Sequence, residues 1–303
     1  MPDKARPWPI TLLIICAVFL VAAIAIGTAT TLSSQREREL ANAEREIKNT
    51  ALILAAQIDR TFQAIELVET NLVERIRARG IATREDFEQR TTDQATHLML
   101  KDLISGLPHI AAIGLIDLNG RPVSFSSHWP APTMNLADRN YFNALVLDEQ
   151  ANSFVSAPVR GLTSGEWTVV IARKFTAPTG ELLGLVTATI RLQYFESFFS
   201  SILLGDTSSI ALLRNDGVVL VRYPVIETTI GRSFTTMIDA LENREQASIR
   251  AVSKMDARDR LLAAHRLAHN PLLVVVGRDV AAVLAPWWAQ RVCSSWQPSS
   301  LPA

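Results

Sequence analysis

The sequence predicts an α+β fold in which helices come first and two tandem antiparallel-sheet modules follow. Three observations carry this. A charge-free apolar run lies near the N-terminus, a long segment without Gly or Pro comes next, and two later stretches share one strand–turn–strand pattern.

The apolar run is ITLLIICAVFLVAAIAIG, residues 10–27, and no charge occurs between Arg6 and Arg36. Eighteen helical residues span about 27 Å, close to the hydrocarbon thickness of a bilayer. A cleaved signal peptide usually has a shorter apolar core, and the Gly-Thr-Ala-Thr stretch at 27–30 is a poor small-x-small cleavage site. An uncleaved transmembrane helix over residues 10–32 is expected, with a cytoplasmic tail of residues 1–9. Lys4 and Arg6 favour that orientation.

Residues 33–80 read as a long stalk helix. Leu40, Ile47, Leu54, Ile58, Ile65, Val68 and Leu72 recur at helical spacing. Glu44 and Thr61 interrupt the seam, so a homodimer through this helix is left open. A second helix is expected over 83–105. Strands follow at 110–117 and 122–126 around the turn Leu118-Asn119-Gly120, then a short helix at 139–147 and strands at 153–160, 167–175 and 183–192. A helix at 192–203 leads into a second version of the plan. It has a hairpin at 208–223 around Asn215-Asp216-Gly217, a helix at 233–241, and strands at 247–252, 261–267 and 272–277. The hairpins IGLIDLNGRPVSFS and IALLRNDGVVLVRYP match closely enough to read as a duplication. The distal module is assigned 81–192, the proximal module 193–290, each with about five strands, and 291–303 a frayed tail.

Composition narrows the function. The 303 residues carry 30 basic and 30 acidic side chains, which speaks against a polybasic nucleic-acid binder. With 48% apolar and 20% charged residues the chain is not an acidic disordered one. Two cysteines cannot form a disulfide-dense scaffold or a four-thiolate zinc site. His265 and His269 have helical spacing but lie on an expected strand, about 13 Å apart. No phosphate-binding glycine loop or nucleophile elbow occurs, so no metal, cofactor or catalytic residue is expected.

The order of elements resembles the double Cache (dCache) sensors, which carry two PAS-like modules behind a long helix. The most specific segments are Leu136-Ala-Asp-Arg-Asn-Tyr-Phe, Phe154-Val-Ser-Ala-Pro-Val-Arg-Gly, Gly184-Leu-Val-Thr-Ala-Thr-Ile and Ser209-Ile-Ala-Leu-Leu-Arg-Asn-Asp-Gly. The resemblance covers roughly residues 10–290 and implies an extracytoplasmic sensor on a single-pass anchor in a bacterial inner membrane. In such sensors a second span and a cytoplasmic output domain follow. This sequence ends soon after Trp287-Trp288, so a stand-alone sensor and a truncated receptor acting only as a scaffold both stay open.

The resemblance also implies a ligand site in the distal module. Arg139 opens the short helix beside Asp138, Tyr141 follows, and Trp129 sits in the preceding loop. Arg160 ends one strand, Trp167 begins the next, and Arg173 lies along it. An arginine fork suits a carboxylate, and aromatic walls exclude water. Arg139-Asn140-Tyr141-Phe142 matches part of the family's amino-acid motif, but Met134 stands where an aromatic is expected and Thr189 where an acid would hold an amine. The expectation is therefore a small carboxylate ligand without an amine. The plain alternatives are that Arg139 pairs with Asp138 or Asp148, and that Arg173 points to solvent.

Overall fold

The structure, a computed structural model, describes residues 8–161, 165–202, 205 and 207–294. The expected membrane and stalk helices are one unbroken element, α1 (Trp8–Ala78). It stops where Gly80 takes a φ of +72°. At its N-terminal end, large apolar side chains such as Leu13, Phe19 and Ile24 are exposed, Phe19 by 77%. By length and composition this end of α1 is apolar enough to cross a membrane.

Farther along, one stripe of α1 is buried. Ile47, Leu54, Ile58, Phe62, Ile65 and Leu72 are each at most 4% exposed, and Leu40 and Val68 pack at the margins. All seven positions picked out by periodicity thus face the protein. The helix expected over 83–105 is two, α2 (Arg84–Arg90) and α3 (Gln94–Leu103). Thr83 caps the first and Asp93 the second, each by accepting a backbone N–H three residues on. A cap residue in mid-segment starts a new helix, because its side chain competes with the helical hydrogen bonds before it.

Among the described residues there are two antiparallel sheets. The distal sheet comprises β1 (Ile110–Ile116), β2 (Pro122–Phe125), β3 (Ser153–Val155), β4 (Val159–Arg160), β5 (Trp167–Thr176) and β6 (Leu182–Arg191), in the order β2-β1-β6-β5-β3, with β4 also on β5. The strand expected at 153–160 is therefore two. Pro158 has no N–H to donate, and Ser156 Oγ accepts from Val170 N instead. The proximal sheet comprises β7 (Ser209–Arg214), β8 (Val219–Tyr223), β9 (Gln246–Val252), β10 (Asp259–Arg266) and β11 (Leu272–Asp279), ordered β8-β7-β11-β10-β9. Apart from β4, the two orders are the same. Helix α4 (Asn140–Leu147) covers the distal sheet, and α6 (Thr236–Leu241) covers the proximal one. Between the modules, α5 (Leu192–Ser200) stacks Phe195 on Phe62 of α1.

One helix lacks a counterpart in the sequence reading. Residues 280–294 form α7 (Val280–Ser294), which buries Val280, Val283 and Leu284 against the core shared with α1. Its start is marked by Asp279, whose carboxylate accepts from Ala281 N. Residues 291–294, expected to fray, continue it; the rest of the expected tail lies outside the described residues.

The duplication extends to single hydrogen bonds. Gly114 pairs with Phe125 and Ala211 with Arg222, and both hairpins shift register one residue later. Gly120 and Gly217 take φ values of +78° and +84°. Their carbonyls accept from Leu136 N (2.7 Å) and Phe234 N (2.9 Å), the segments that lead into the covering helices. A Cβ on Gly120 would lie 2.4 Å from Ala137 N. Left-handed backbone costs an L-residue about 1–2 kcal/mol before any clash, so Gly120→Ala is expected to destabilise by more than that. Urea unfolding of the variant against the parent measures it.

Candidate functional site

The distal sheet is buried on both faces, and alternation along its strands sorts them. On β5, Val169 and Ile171 join the core against α1, while Thr168 and Val170 face the α4 side. On β6, Thr189 and Arg191 share that second face. Between it and the cover lies a cavity of about 440 Å³. Such a volume suits a small organic ligand. Thr168, Val170 and Thr189 form its floor; Met134, Arg139 and Tyr141 belong to its cover.

Arg139 sits at the N-cap of α4 with extended dihedrals (φ −74°, ψ 141°). Two residues apart on a helix diverge by about 200°, but the extended start lets both Arg139 and Tyr141 line the cavity. The nearest carboxylate to Arg139 Nε is that of Asp138, at 3.9 Å, which is no hydrogen bond. The Nε is buried and has no hydrogen-bond partner among the described residues. Tyr141 is 5% exposed, and burial pushes its phenol up to about 12, so it stays a neutral donor.

The other expected site residues fare differently. Arg160 lines the cavity, but its guanidinium leaves it: the group lies 4.2 Å from the Trp167 ring centroid and donates to Gly165 O and to Glu227 of the proximal module. Trp167 is not on the cavity wall. It is an odd-numbered residue of β5 and packs between the modules. Arg173 has the same parity and does not line the cavity; its side chain is 30% exposed, while its Nε lies 3.7 Å from Glu69 of α1. Trp129 is exposed beside His97, and the Asp138 side chain is exposed.

The sequence reading missed Arg191, Thr168 and Val170. Arg191 lines the cavity while its Nη1 donates to Pro108 O and Ile110 O, both at 3.0 Å, tying the start of β1 to the end of β6. Parity was the available signal: Thr168 and Val170 alternate with the buried Val169, and Arg191 shares a face with Thr189. His128 and Glu166 also line the cavity, so its wall is not purely cationic.

A ligand cavity on one face of a PAS-like sheet, with a long helix on the other and an apolar helical end, defines the ligand-binding part of a sensor. The chain belongs to the Cache domain family: the Cache domain signature dCache_1 matches residues 31–287. Among solved structures, the extracellular domain of the histidine kinase named rpHK1S-Z16 matches at 29% identity and a TM-score of 0.68, covering 82% of this chain and 99% of that one. The periplasmic sensory domain of the Campylobacter jejuni chemoreceptor Tlp1 matches at 11% identity and a TM-score of 0.63, covering 82% and 99%. The ligand-binding domain of the Pseudomonas fluorescens chemoreceptor CtaA, in complex with L-isoleucine, matches at 15% identity and a TM-score of 0.59, covering 83% and 98%. The last two show the fold alone. No curated protein matches significantly. The α+β class, the two PAS-like modules and the dCache resemblance read from the sequence therefore hold.

Glu69 gives a pH prediction. It is fully buried on α1, and neither carboxyl oxygen has a hydrogen-bond partner among the described residues. Burial holds its carboxyl well above the usual 4.5, with Arg173 opposing. The native chain then binds more protons than the unfolded one above pH 4.5. Its contribution to stability must fall as pH rises from there toward the native value. Glu69→Gln should remove that fall. Urea midpoints at about pH 5 and pH 8 should lie closer together in the variant than in the parent.

Proposed function

We propose that this chain is the extracytoplasmic sensor of a single-pass protein of a bacterial inner membrane, and that its distal cavity binds a small carboxylate. The observation that carries the ligand class is Arg139, which lines a cavity of ligand size while its nearest carboxylate, that of Asp138, stays 3.9 Å from its Nε. A half-buried guanidinium with only a loose ion pair to an exposed Asp138 favours an anionic partner. Tyr141 adds a neutral donor, and Thr168 and Thr189 add hydroxyls. The bound amino acid of CtaA supports a carboxylate in general. Thr189 in place of an acid favours a ligand without an amine. The scaffold reading, in which the cavity is vestigial, gains nothing from this arrangement.

The chain acts by binding rather than by catalysis. A ligand held between cover and floor would favour the closed arrangement and shift the population toward it. The sheet under the ligand is packed on α1, and α1 has no Pro or Gly between Arg36 and Arg79 to absorb a displacement. Motion therefore reaches the membrane as movement of a whole helix.

The test is a thermal-shift screen of the full chain in nanodiscs with acetate, pyruvate, succinate, L-alanine and L-isoleucine, followed by calorimetry. Carboxylates lacking an amine should stabilise it; a response confined to the amino acids would reverse the ligand class, and no response to any would remove the reading. With the binding carboxylate, Arg139→Ala should lose a charge-assisted hydrogen bond of about 1.5–3 kcal/mol, roughly 10- to 150-fold in affinity. Arg139→Lys should recover part of that, because an ammonium lacks the planar two-point contact. Trp167→Phe should leave affinity nearly unchanged, since the indole faces away from the cavity.

A further inference from the structure

The proximal module has its own cavity, under α6, in the position that the distal cavity occupies under α4. It is small, about 50 Å³. Most of its lining is apolar, with Leu213, Phe234, Met237, Leu262 and Val275 in it; its polar members are Arg222, Lys254, Ser209, Thr236 and Ser253, with no Asp or Glu among the described residues. Arg222 takes the place that Phe125 takes in the distal repeat. Both pair across the hairpin with a small residue, Arg222 with Ala211 and Phe125 with Gly114, and both line the cavity of their module. The duplication has thus put a cation where its counterpart has an aromatic ring.

That cation is buried and shares its counter-charge. The side chains of Arg222 and Arg260 are each 4% exposed, and both donate to the one carboxylate of Asp256, at 2.7 Å. Pro224 O and Thr207 O accept one further bond from Arg222 and Arg260, respectively. Nearby, Arg258 is matched by Asp279 at 3.3 Å. Among the described residues, three guanidiniums therefore meet two carboxylates. Burial and the neighbouring arginines Arg260 and Arg258 lower the Arg222 pKa, against the pull of Asp256. Carbonyl dipoles solvate a buried cation but do not neutralise it, and uncompensated buried charge is expensive.

We propose that the proximal module carries a second binding site, a pocket for one small anion of the size of formate or acetate, held by Arg222 with the hydroxyls around it. A water molecule needs roughly 10–15 Å³ of such space, so about 50 Å³ takes a few waters or one compact anion. The site is independent of the distal ligand. It would set the state of the module next to the membrane, whose sheet also packs on α1.

The experiment uses the full chain in nanodiscs with Arg139→Ala in place, which weakens the distal response by the roughly 10- to 150-fold given above, and the two proximal variants below separate what remains of it. Sodium formate or sodium acetate is titrated against sodium gluconate at constant ionic strength, gluconate being too large for the cavity. The expected result is a melting temperature that rises with the logarithm of formate or acetate concentration and not with gluconate. Arg222→Met removes the cation and leaves Asp256 with Arg260; Ala211→Val keeps the charges and fills the space. Both should abolish the rise, whatever they do to the starting melting temperature. A purely structural Arg222 would lower that starting value and leave the slope intact. A flat response in the Arg139→Ala parent, or an undiminished slope in Ala211→Val, overturns the proposal. The second variant decides the matter if Arg222→Met does not fold.

Discussion

One helix serves two sheets, and most of the architecture follows from that. The buried stripe of α1 runs through Ile47, Leu54, Ile58, Phe62 and Ile65 in a core that also contains residues of both modules. Beyond Glu69 the stripe continues as Leu72 and Ile76 in a separate core under α2 and α3. Neither sheet can satisfy its inner face without the helix. The helix in turn buries its apolar side only because two sheets are laid along it. Glu69 stands where the two cores meet, a carboxyl in an otherwise apolar seam. It faces Arg173 on a strand whose other face forms the cavity floor.

That arrangement fixes which parts were legible in the sequence. Helical periodicity identified the inner face of α1 without error, because a helix of this length repeats its signal many times. The two hairpins announced themselves through turn residues and through their likeness to each other. The strands of the distal sheet were harder to orient. With α1 on one side and a covered cavity on the other, β5 reads as a nearly continuous apolar run, and nothing in the run itself says which parity faces the ligand. Trp167 and Arg173 drew notice as large or charged residues, yet they share the parity of Val169, which belongs to the helix side. Arg139 and Tyr141 could be chosen because their helix start has a recognisable motif. Arg191 escaped because it ends a strand and also holds the backbone carbonyls of Pro108 and Ile110.

The two modules share a topology but not an interior. The segment from Ser126 to Arg139 crosses the distal sheet and leaves ligand-sized space below it, whereas α6 and the β9–β10 hairpin close more tightly on the proximal sheet. Exchange of an aromatic for an arginine at the paired position changes the chemistry of the space as well as its size. Contacts between the modules are both apolar and polar: Trp167 and α5 pack into the core that the modules share, Arg160 reaches Glu227, and Arg214 Nη1 donates to Val155 O.

The hydrogen bond from Leu136 N to Gly120 O has a consequence for how the site assembles. It joins residues only sixteen apart, within a stretch that runs from β1 to α4. Closing so short a loop costs little chain entropy, and contacts this local form early. Arg139 is therefore mounted by its own neighbourhood. The floor beneath it needs the hairpin of β5 and β6, itself local, to pair through β6 with β1, whose partners lie about seventy to eighty residues away, as in Ile116 with Leu185 and Ile110 with Ile190. In loop-closure entropy, the mounting of Arg139 is the cheap part of the distal cavity, and the joining of β6 to β1 beneath it is the costly one.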